Sequence, residues 1–367
     1  MERADVLIVG GGPAGSACAA ALVAGGRDAL VLDAARFPRD KPCAGWITPE
    51  VVAELPMGLE EYGREHTLQP ISRFRIGRIG GRGVEVDYGT PVSYGIRRWE
   101  LDAELLRCSG ARVRQGERVH DIRRERRDWV LNDAYAAPML IGAGGHFCPV
   151  ARLLNGRPDT APVVVAREIE YRLEGAALER CRVDAGCPEL HFCRDLEGYG
   201  WCLRKAEHLN VGLGRRNPRG LGRHVEAFVD WLVDEGRIER PPDEGWRGHA
   251  YRLRAGQPQR LMGDGALLVG DAAGLAFGAS GEGILPALRS GRLAATTILE
   301  AGGDYGEARL HGYARRLDAE LGLPSNRRPL PAPVARLAGA VLLASSWFAR
   351  RVVLDAWFLH RERVGSE

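Results

Sequence analysis

The chain begins with a short apolar strand that runs directly into a glycine-rich turn. The strand Val6–Val9 is followed by Gly-Gly-Gly-Pro-Ala-Gly, a helix of small residues, a second apolar strand and Asp33. Gly10 permits the tight turn, Gly12 leaves room between the backbone and a pyrophosphate, and Gly15 lets the helix lie close to the strand. Asp33 stands where a carboxylate accepts the hydroxyls of a ribose. The combination predicts a dinucleotide site.

A second segment, late in the chain, repeats this arrangement. An apolar strand at residues 266–270 ends in Asp271, and Gly281, Glu282 and Gly283 precede a long predicted helix. Exposed amide groups at a helix start attract negatively charged groups. A flavin dinucleotide needs two such places, one for its adenylate and pyrophosphate and another for its ribityl chain and ring. The two segments together predict bound FAD.

The composition narrows the class of protein. A hydrophobic content of 45%, a charged content of 27% and a net charge of +3 are typical of a soluble globular protein without a nucleic-acid partner. The 367 residues suffice for two lobes. No pair of cysteines has CxxC spacing, so we predict no metal site and reduced thiols. The first strand begins so near Met1 that we expect no signal peptide, which favours the cytoplasm.

Strand-rich segments interrupt the nucleotide-binding pattern. Alternating residues at 74–88 and strand patterns between 163 and 214 predict an antiparallel sheet. We therefore predict an α/β (α+β) fold in which a Rossmann-like FAD-binding domain is discontinuous in sequence. The predicted FAD-binding domain comprises residues 1–70, 97–160 and 255–305, the inserted antiparallel-sheet substrate domain 71–96 and 161–254, and a C-terminal helical region 306–367.

The C-terminal region contains apolar segments that are too short to cross a bilayer. Residues 337–349 carry no charge, yet a spanning helix needs about twenty apolar residues. Two interpretations stay open. The helices cover the core, or they form an amphipathic surface that touches the inner face of the membrane through Trp347, Phe348, Trp357 and Phe358. The sequence does not indicate an oligomeric state.

Four stretches carry a family resemblance. They are the glycine turn with Asp33, the loop Phe-Pro-Arg-Asp-Lys-Pro-Cys-Ala-Gly at residues 37–45, the strand Gly-Tyr-Gly-Trp at 198–201, and residues 270–283. Together they resemble the geranylgeranyl reductase family of FAD-dependent oxidoreductases, in the superfamily of para-hydroxybenzoate hydroxylase. The resemblance implies reduction of C=C bonds in an apolar, prenyl-like small molecule by hydride transfer from reduced flavin. The alternative is an NAD(P)H-dependent flavin monooxygenase that hydroxylates an aromatic or polyketide-like substrate.

The resemblance also assigns roles to single residues. Arg98 would contact FAD, although a solvated arginine at a helix start is the other interpretation. Asp271 would hold the ribityl hydroxyls, and residues 281–283 would place amide groups near flavin N1 and O2, provided that Glu282 points away from the charge that gathers there on reduction. The predicted cofactor-binding residues are Gly10, Gly12, Pro13, Ala14, Gly15, Asp33, Ala44, Arg98, Asp271, Gly281, Glu282 and Gly283.

Three residues are candidates for the reaction itself. Cys43 lies on a loop expected near the flavin ring and is a candidate acid, although free cysteines are commonly small buried hydrophobes. Tyr199 and Trp201 alternate along one strand, so we expect them to share a sheet face and to line the cavity or simply pack there. Only one dinucleotide fingerprint is present in the sequence. Any NAD(P)H would therefore be a transient electron donor.

Four other polar residues have a structural or solvated interpretation. His146 and His191 show no partner acid in the sequence and are predicted to be structural. Asp40 and Lys41 are interpreted as a solvated pair on a loop.

Overall fold

A mostly parallel sheet forms the centre of the first lobe in the computed structural model, which describes residues 1–156, 163–254, 260–322 and 342–361. Its strands are nearly continuous apolar runs, as expected for a sheet covered on both faces. Val6–Val9 lies between Met139–Gly142 and Ala29–Asp33, with parallel pairing on both sides. Across the six strands of this sheet within the described residues, the order is Met262–Gly263, Ala266–Leu268, Met139–Gly142, Val6–Val9, Ala29–Asp33 and Arg112–Gln115.

Two helices that are far apart in the sequence pack together beside this sheet. Pro13–Ala24 follows the glycine turn, and Ile284–Ala301 follows the second nucleotide segment. They approach so closely that a Cβ on Gly291 would lie 2.2 Å from the backbone oxygen of Ala14. This contact brings the two predicted nucleotide-binding segments to the same end of the sheet.

A mostly antiparallel sheet forms the second lobe. Val163–Arg172 pairs on one side with His208–Arg215 and on the other with Arg247–Arg252. The helix Leu221–Asp234 covers one face, where Phe228 occupies the space above Gly200. Counted over the described residues, this sheet has seven strands in the order Arg247–Arg252, Val163–Arg172, His208–Arg215, Gly198–Lys205, Glu189–Phe192, Arg73–Arg78 and Val84–Asp87.

Two smaller sheets complete the strand pairing of the described residues. Ser93–Ile96, which the domain prediction groups with the substrate domain, pairs with Trp46–Ile47 and Leu68–Ile71. Lys205 Nζ donates a hydrogen bond to the backbone oxygen of Ile96 at 3.1 Å, which joins this sheet to the seven-stranded one. The other sheet has the order Glu2–Arg3, Tyr135–Ala137, Asp128–Leu131 and Ile122–Glu125.

The helices are mostly short. A C-terminal helix (residues 346–358) begins as a single α-helical turn and continues as π-helix. Its residues Val353, Leu354 and Phe358 pack against one face of the seven-stranded sheet, and the helix Leu221–Asp234 packs against the other face.

The helical elements of the described residues are Pro13–Ala24, Pro49–Ala53, Leu59–Glu65, Arg98–Cys108, Gly145–Phe147, Pro149–Asn155, Gly175–Arg180, Leu221–Asp234, Gly270–Ala273, Ile284–Ala301, Glu307–Leu310, Gly312–Leu321, Ser346–Phe348 and Ala349–Phe358.

The predicted fold class is confirmed: the protein is a mixed α/β chain with a Rossmann-like domain, an antiparallel sheet lobe and C-terminal helices. Parts of the predicted domains, at 157–162, 255–259, 323–341 and 362–367, lie outside the described residues, as does most of the uncharged 337–349 segment. Among the described residues, no helix combines the length and the apolarity that crossing a bilayer requires.

Candidate active site

A cavity of about 790 Å³ is lined by residues from the parallel sheet, the seven-stranded sheet and the C-terminal helix. Gly15 does not line it, because this residue lies against the turn beneath the cavity wall. The other predicted site residues all line this one space: Gly10, Gly12, Pro13, Ala14, Asp33, Cys43, Ala44, Arg98, Tyr199, Trp201, Asp271, Gly281, Glu282 and Gly283.

The glycine turn leaves an open cradle at one end of the cavity. Gly10 has a φ of +111°, and a Cβ there would lie 2.4 Å from the backbone oxygen of Ala143. A Cβ on Gly15 would lie 1.9 Å from the oxygen of Gly10, so both positions require glycine for the chain to fold on itself. Gly12 differs, because its Cβ would meet only Arg39, at 3.4 Å. The space in front of Gly12 is therefore open to a ligand.

Asp33 is held rigidly at the end of its strand. Its Oδ2 accepts a hydrogen bond from the Gly11 amide at 2.7 Å, and its Oδ1 accepts one from the Ala35 amide at 2.8 Å. Each carboxylate oxygen has a second lone pair. Both oxygens can still accept ribose hydroxyls from the cavity.

Arg98 is buried rather than solvated, which makes the solvated interpretation wrong. Its guanidinium donates two hydrogen bonds to Asp102, at 2.6 and 2.8 Å, one helical turn along Arg98–Cys108. Asp102 also lies 3.1 Å from Arg39. Burial opposes ionisation of Asp102, but the ion pairs with these arginines hold its pKa below the usual value.

Lys41 is not part of a solvated pair, and that prediction is wrong. Its Nζ lies 2.7 Å from His249 Nε2 and 3.9 Å from Asp271 Oδ2, and His249 Nε2 lies 3.3 Å from the same carboxylate oxygen. Burial lowers the pKa of Lys41 to about 8, and it lowers the pKa of His249 as well. Asp40, in contrast, pairs with Arg247 at 2.7 Å on the surface.

These residues fit the FAD pyrophosphate. Arg39, Lys41 and Arg98 surround the carboxylates of Asp102 and Asp271, so positive charge exceeds negative charge in the cluster. Arginine forks and a lysine ammonium are the usual partners of phosphate oxygens. The open cradle at Gly12 and this excess of positive charge adjoin each other in the same cavity.

The second nucleotide segment closes the other side of the cavity. Gly281 has a φ of +76°, and a Cβ there would lie 2.5 Å from the Tyr251 hydroxyl. Glu282 Oε2 lies 3.0 Å from Nε2 of His360, which follows the C-terminal helix. The carboxylate of Glu282 thus contacts the segment after the C-terminal helix, while the residue also lines the cavity.

An aromatic wall stands beside this segment. Tyr199 and Trp201 lie on one face of their strand, with ring centroids 6.1 Å apart, which confirms the predicted shared face. Phe358 of the C-terminal helix lies 5.6 Å from Tyr199 and stacks on Trp46 at 5.2 Å. The Tyr199 hydroxyl donates to the backbone oxygen of Ser280 at 2.6 Å. This wall offers an apolar surface to a substrate.

Cys43 enters the cavity from the loop before Trp46. Its sulfur accepts a weak hydrogen bond from the Gly45 amide at 3.4 Å, and its backbone oxygen accepts one from the Asn210 side chain at 3.1 Å. The Asn210 side chain also accepts a hydrogen bond from Trp201 Nε1 at 2.7 Å. Asn210 therefore joins the Cys43 loop to the aromatic wall.

His191 lies away from the cavity, and the prediction that it lacks a partner acid is wrong. Glu189, two residues earlier on the same strand face, lies 3.2 Å from its Nε2. Its ring meets Trp231 of the covering helix edge-on at 4.7 Å. His146 packs edge-on against Phe147, and partial burial lowers its pKa.

Sequence reasoning missed three polar residues of the cavity region. His249, Glu168 and Asn210 all belong to the seven-stranded sheet, and His249 and Glu168 line the cavity directly. A signal for Glu168 was present, because charged residues occupy alternate positions 168, 170 and 172 in the second half of the strand Val163–Arg172. Nothing near His249 in the sequence points to Lys41, which lies 208 positions away.

The two cradles, the cationic cluster and the aromatic wall define an FAD-dependent oxidoreductase. No family model matches the chain. Menaquinone reductase of Mycobacterium tuberculosis is 34% identical over 330 residues, which cover 81% of this chain and 77% of that protein. The chloroplastic geranylgeranyl diphosphate reductase of Nicotiana tabacum is 29% identical over 355 residues, covering 85% and 70%.

Among solved structures, a geranylgeranyl bacteriochlorophyll reductase-like protein from Thermoplasma acidophilum has the same fold. Its TM-score is 0.72 at 19% identity, with 96% of this chain and 99% of that chain covered. The chain belongs to the geranylgeranyl reductase family of FAD-dependent oxidoreductases, as its motifs predict.

Proposed function

We propose that this protein reduces a carbon–carbon double bond in the prenyl chain of an apolar substrate. The observation that carries the proposal is the aromatic wall of Tyr199, Trp201 and Phe358 beside the Gly281–Gly283 cradle. The relatives named above support it, because menaquinone and geranylgeranyl diphosphate share an isoprenoid chain and differ in the head group. A binding surface for the chain is therefore the common requirement.

Different residues would hold different parts of FAD. The turn at Gly12 and the side chains of Arg98 and Lys41 would receive the pyrophosphate, and Asp33 would accept the adenosine ribose hydroxyls. Asp271 would accept the ribityl hydroxyls. When bound, FAD supplies the hydride.

The apolar side chains have a different task. Trp46 and Phe358 line the cavity and stack on each other. Placing a prenyl chain against these rings and Tyr199 would remove water from the reacting double bond, which is favourable because the chain is apolar. The Tyr199 hydroxyl is already bonded to Ser280, so we assign Tyr199 to the cavity wall and not to proton transfer.

The test is a single turnover without oxygen. The FAD-loaded protein is reduced with dithionite and mixed with geranylgeranyl diphosphate, which has no quinone head group that could itself take two electrons and two protons from the flavin. We expect flavin reoxidation and a product that is heavier by two hydrogen atoms. A hydroxylated product, formed only when oxygen is admitted, would replace this proposal by the monooxygenase alternative.

We further propose that NAD(P)H is a transient electron donor. The support is that the sequence contains one dinucleotide fingerprint, at residues 10–15, which FAD would occupy. Anaerobic titration of the FAD-loaded protein with NADH and NADPH should bleach the flavin absorbance. Bleaching by neither nucleotide would assign the electron supply to another carrier.

We propose a cytoplasmic location with peripheral contact to the inner face of the membrane. Trp347 is 68% exposed at the start of the C-terminal helix, and Arg350 follows it within one turn. An exposed aromatic residue next to arginines suits the boundary of an anionic bilayer. Co-sedimentation with anionic vesicles should fall for Trp347→Ala, and equal binding of the variant would remove this support.

A further inference from the structure

Glu168 is a buried carboxyl group at the wall of the cavity. It lies on Val163–Arg172 with 5% of its surface exposed, and its side chain lines the same space as Cys43 and Trp201. Gly212, on the neighbouring strand, lies against both Glu168 and Trp201. A Cβ on Gly212 would lie 2.3 Å from the Trp201 ring and 2.6 Å from Glu168 Cβ. Glycine at 212 therefore lets Trp201 and Glu168 stand side by side.

A second carboxyl group, two residues further along the strand, has a different environment. Glu170 accepts a hydrogen bond from the buried ammonium of Lys205, and its other oxygen lies 2.9 Å from Arg97 Nε. Glu168 instead accepts a hydrogen bond from the neutral amide of Asn210. Two cations thus stabilise the ionised form of Glu170, whereas Glu168 is bound by an uncharged donor.

These hydrogen-bond and ion-pair partners explain why the pKa values of Glu168 and Glu170 differ. Burial raises the pKa of Glu168 to about 7, although Lys205 and Asn210 oppose the rise. Burial acts on Glu170 as well, but Lys205 and Arg97 hold its pKa below the usual value. A pair of carboxyl groups separated in this way provides one group that keeps its proton near neutral pH and one that stays ionised.

We propose that Glu168 is the catalytic acid, donating the proton that completes reduction of the substrate double bond. This role rests on the proposed function. The π bond of the substrate breaks, one carbon receives a hydride from the reduced flavin and the other receives the Glu168 proton. The flavin is oxidised by two electrons, and the Glu168 carboxylate regains a proton from solvent.

Asn210 is the positioning residue for this acid. Its amide donates to Glu168 and to the backbone oxygen of Cys43, while its oxygen accepts from Trp201. These bonds hold the carboxyl group against the aromatic wall, where the prenyl chain would lie. Cys43 contributes to positioning the acid through its backbone oxygen, which accepts a hydrogen bond from Asn210, and not through its thiol.

The first measurement is independent of turnover. In the FAD-loaded protein labelled with ¹³C at the glutamate side-chain carboxyl carbon, we expect a carboxyl signal that titrates near pH 7. It should be absent in Glu168→Gln and present in Glu85→Gln, a matched control on an exposed edge strand of the same sheet. If no such signal disappears in Glu168→Gln, the proposal is overturned.

The second measurement separates protonation from electron transfer. With prenyl substrate, flavin reoxidation in Glu168→Gln should be slower by about 100-fold or more, whereas ferricyanide, which needs no carbon protonation, should reoxidise both proteins equally. Glu168→Asp should recover part of the rate. Equal substrate rates in Glu168→Gln and wild type would overturn the acid role. If wild type itself reacts with no prenyl compound, the proposed function fails and the donor role fails with it.

Discussion

Single charged residues in this protein acquire their properties from neighbours that are distant in sequence. Glu168 is buried and Lys41 is half-buried, and burial shifts the pKa of each in the direction that favours its neutral form. Glu170 escapes this effect because Lys205 and Arg97 lie against it. Burial sets the direction of the shift, and an adjacent ion of opposite charge decides whether it persists.

The buried Glu168 should make stability depend on pH. Its pKa rises from 4.5 to about 7 on folding, so the folded protein holds an extra proton between these values. The resulting stabilisation is fully present below about pH 4.5 and is lost as pH rises through 7, a total of about 3 kcal/mol. Urea unfolding across this range should show the loss in wild type and in Glu85→Gln, but not in Glu168→Gln. Parallel curves for Glu168→Gln and wild type would contradict the prediction.

Gly12 should be needed for FAD and not for folding. Its φ is −72° and an added Cβ meets only Arg39 at 3.4 Å, so Gly12→Ala should unfold at the wild-type temperature. The methyl group would stand in the pyrophosphate cradle and weaken FAD binding by about tenfold or more. Fluorescence titration measures this affinity. Gly58→Ala, with no atom near its added Cβ, is the matched control, and equal affinity in both variants would argue against the cradle.

At the scale of elements, the C-terminal helix (residues 346–358) links the core to the site. Its buried face packs on the seven-stranded sheet through Val353 and Leu354. Phe358 reaches the cavity, and His360 just beyond the helix meets Glu282 of the flavin-side cradle. An element remote in sequence thereby contributes to the aromatic wall of the cavity and contacts the Gly281–Gly283 segment.

Removing Phe358 should weaken both the fold and substrate binding. Phe358→Ala deletes a 6% exposed ring that stacks on Trp46, at a cost of about 3 kcal/mol in unfolding free energy. The KM for a prenyl substrate should rise while FAD affinity stays unchanged, because the ring packs on Trp46 and Tyr199 of the aromatic wall and not on the turn at Gly12. Trp347→Ala, on the same helix but exposed, should change stability by no more than about 0.5 kcal/mol. An unaltered KM for Phe358→Ala would place the substrate elsewhere.

At the scale of the whole molecule, the active site is a junction between two lobes. Lys41 comes from the loop after the second strand, Asp271 from the start of the second nucleotide segment, and His249 from the edge of the antiparallel sheet. The charged groups Lys41 and Asp271 come from the first lobe, and the second lobe contributes the His249 imidazole that contacts both. FAD binding should therefore respond to the ionisation of the junction as a unit.

FAD affinity should fall as pH rises from 7 to 9. Lys41 loses its charge near pH 8, His249 has a lowered pKa and stays neutral over this range, and Asp271 stays ionised. Since the pyrophosphate is attracted by the ammonium group, the dissociation constant should rise by up to about tenfold. Lys41→Met should bind FAD more weakly at pH 7 and show a flat profile. Isothermal titration at the two pH values checks this, and a flat wild-type profile would contradict it.

The sequence alone determined the features that depend on neighbouring residues in the chain. The turn at Gly10 and Gly15, the carboxylate of Asp33 and the shared face of Tyr199 and Trp201 are short-range features, because strand alternation and backbone conformation depend on neighbouring residues. The fold class followed from the same patterns together with the family resemblance. These features were predictable without coordinates.

Tertiary structure alone decided the electrostatics and the closure of the site. The contact of Lys41 with His249, the contrast between Glu168 and Glu170, and the contact of His360 with Glu282 all depend on side chains brought together from separate elements. A pKa depends on every charge and apolar group within a few ångströms. The spacing of residues along the chain does not indicate these distances between side chains, so the pKa shifts could not be predicted from the sequence.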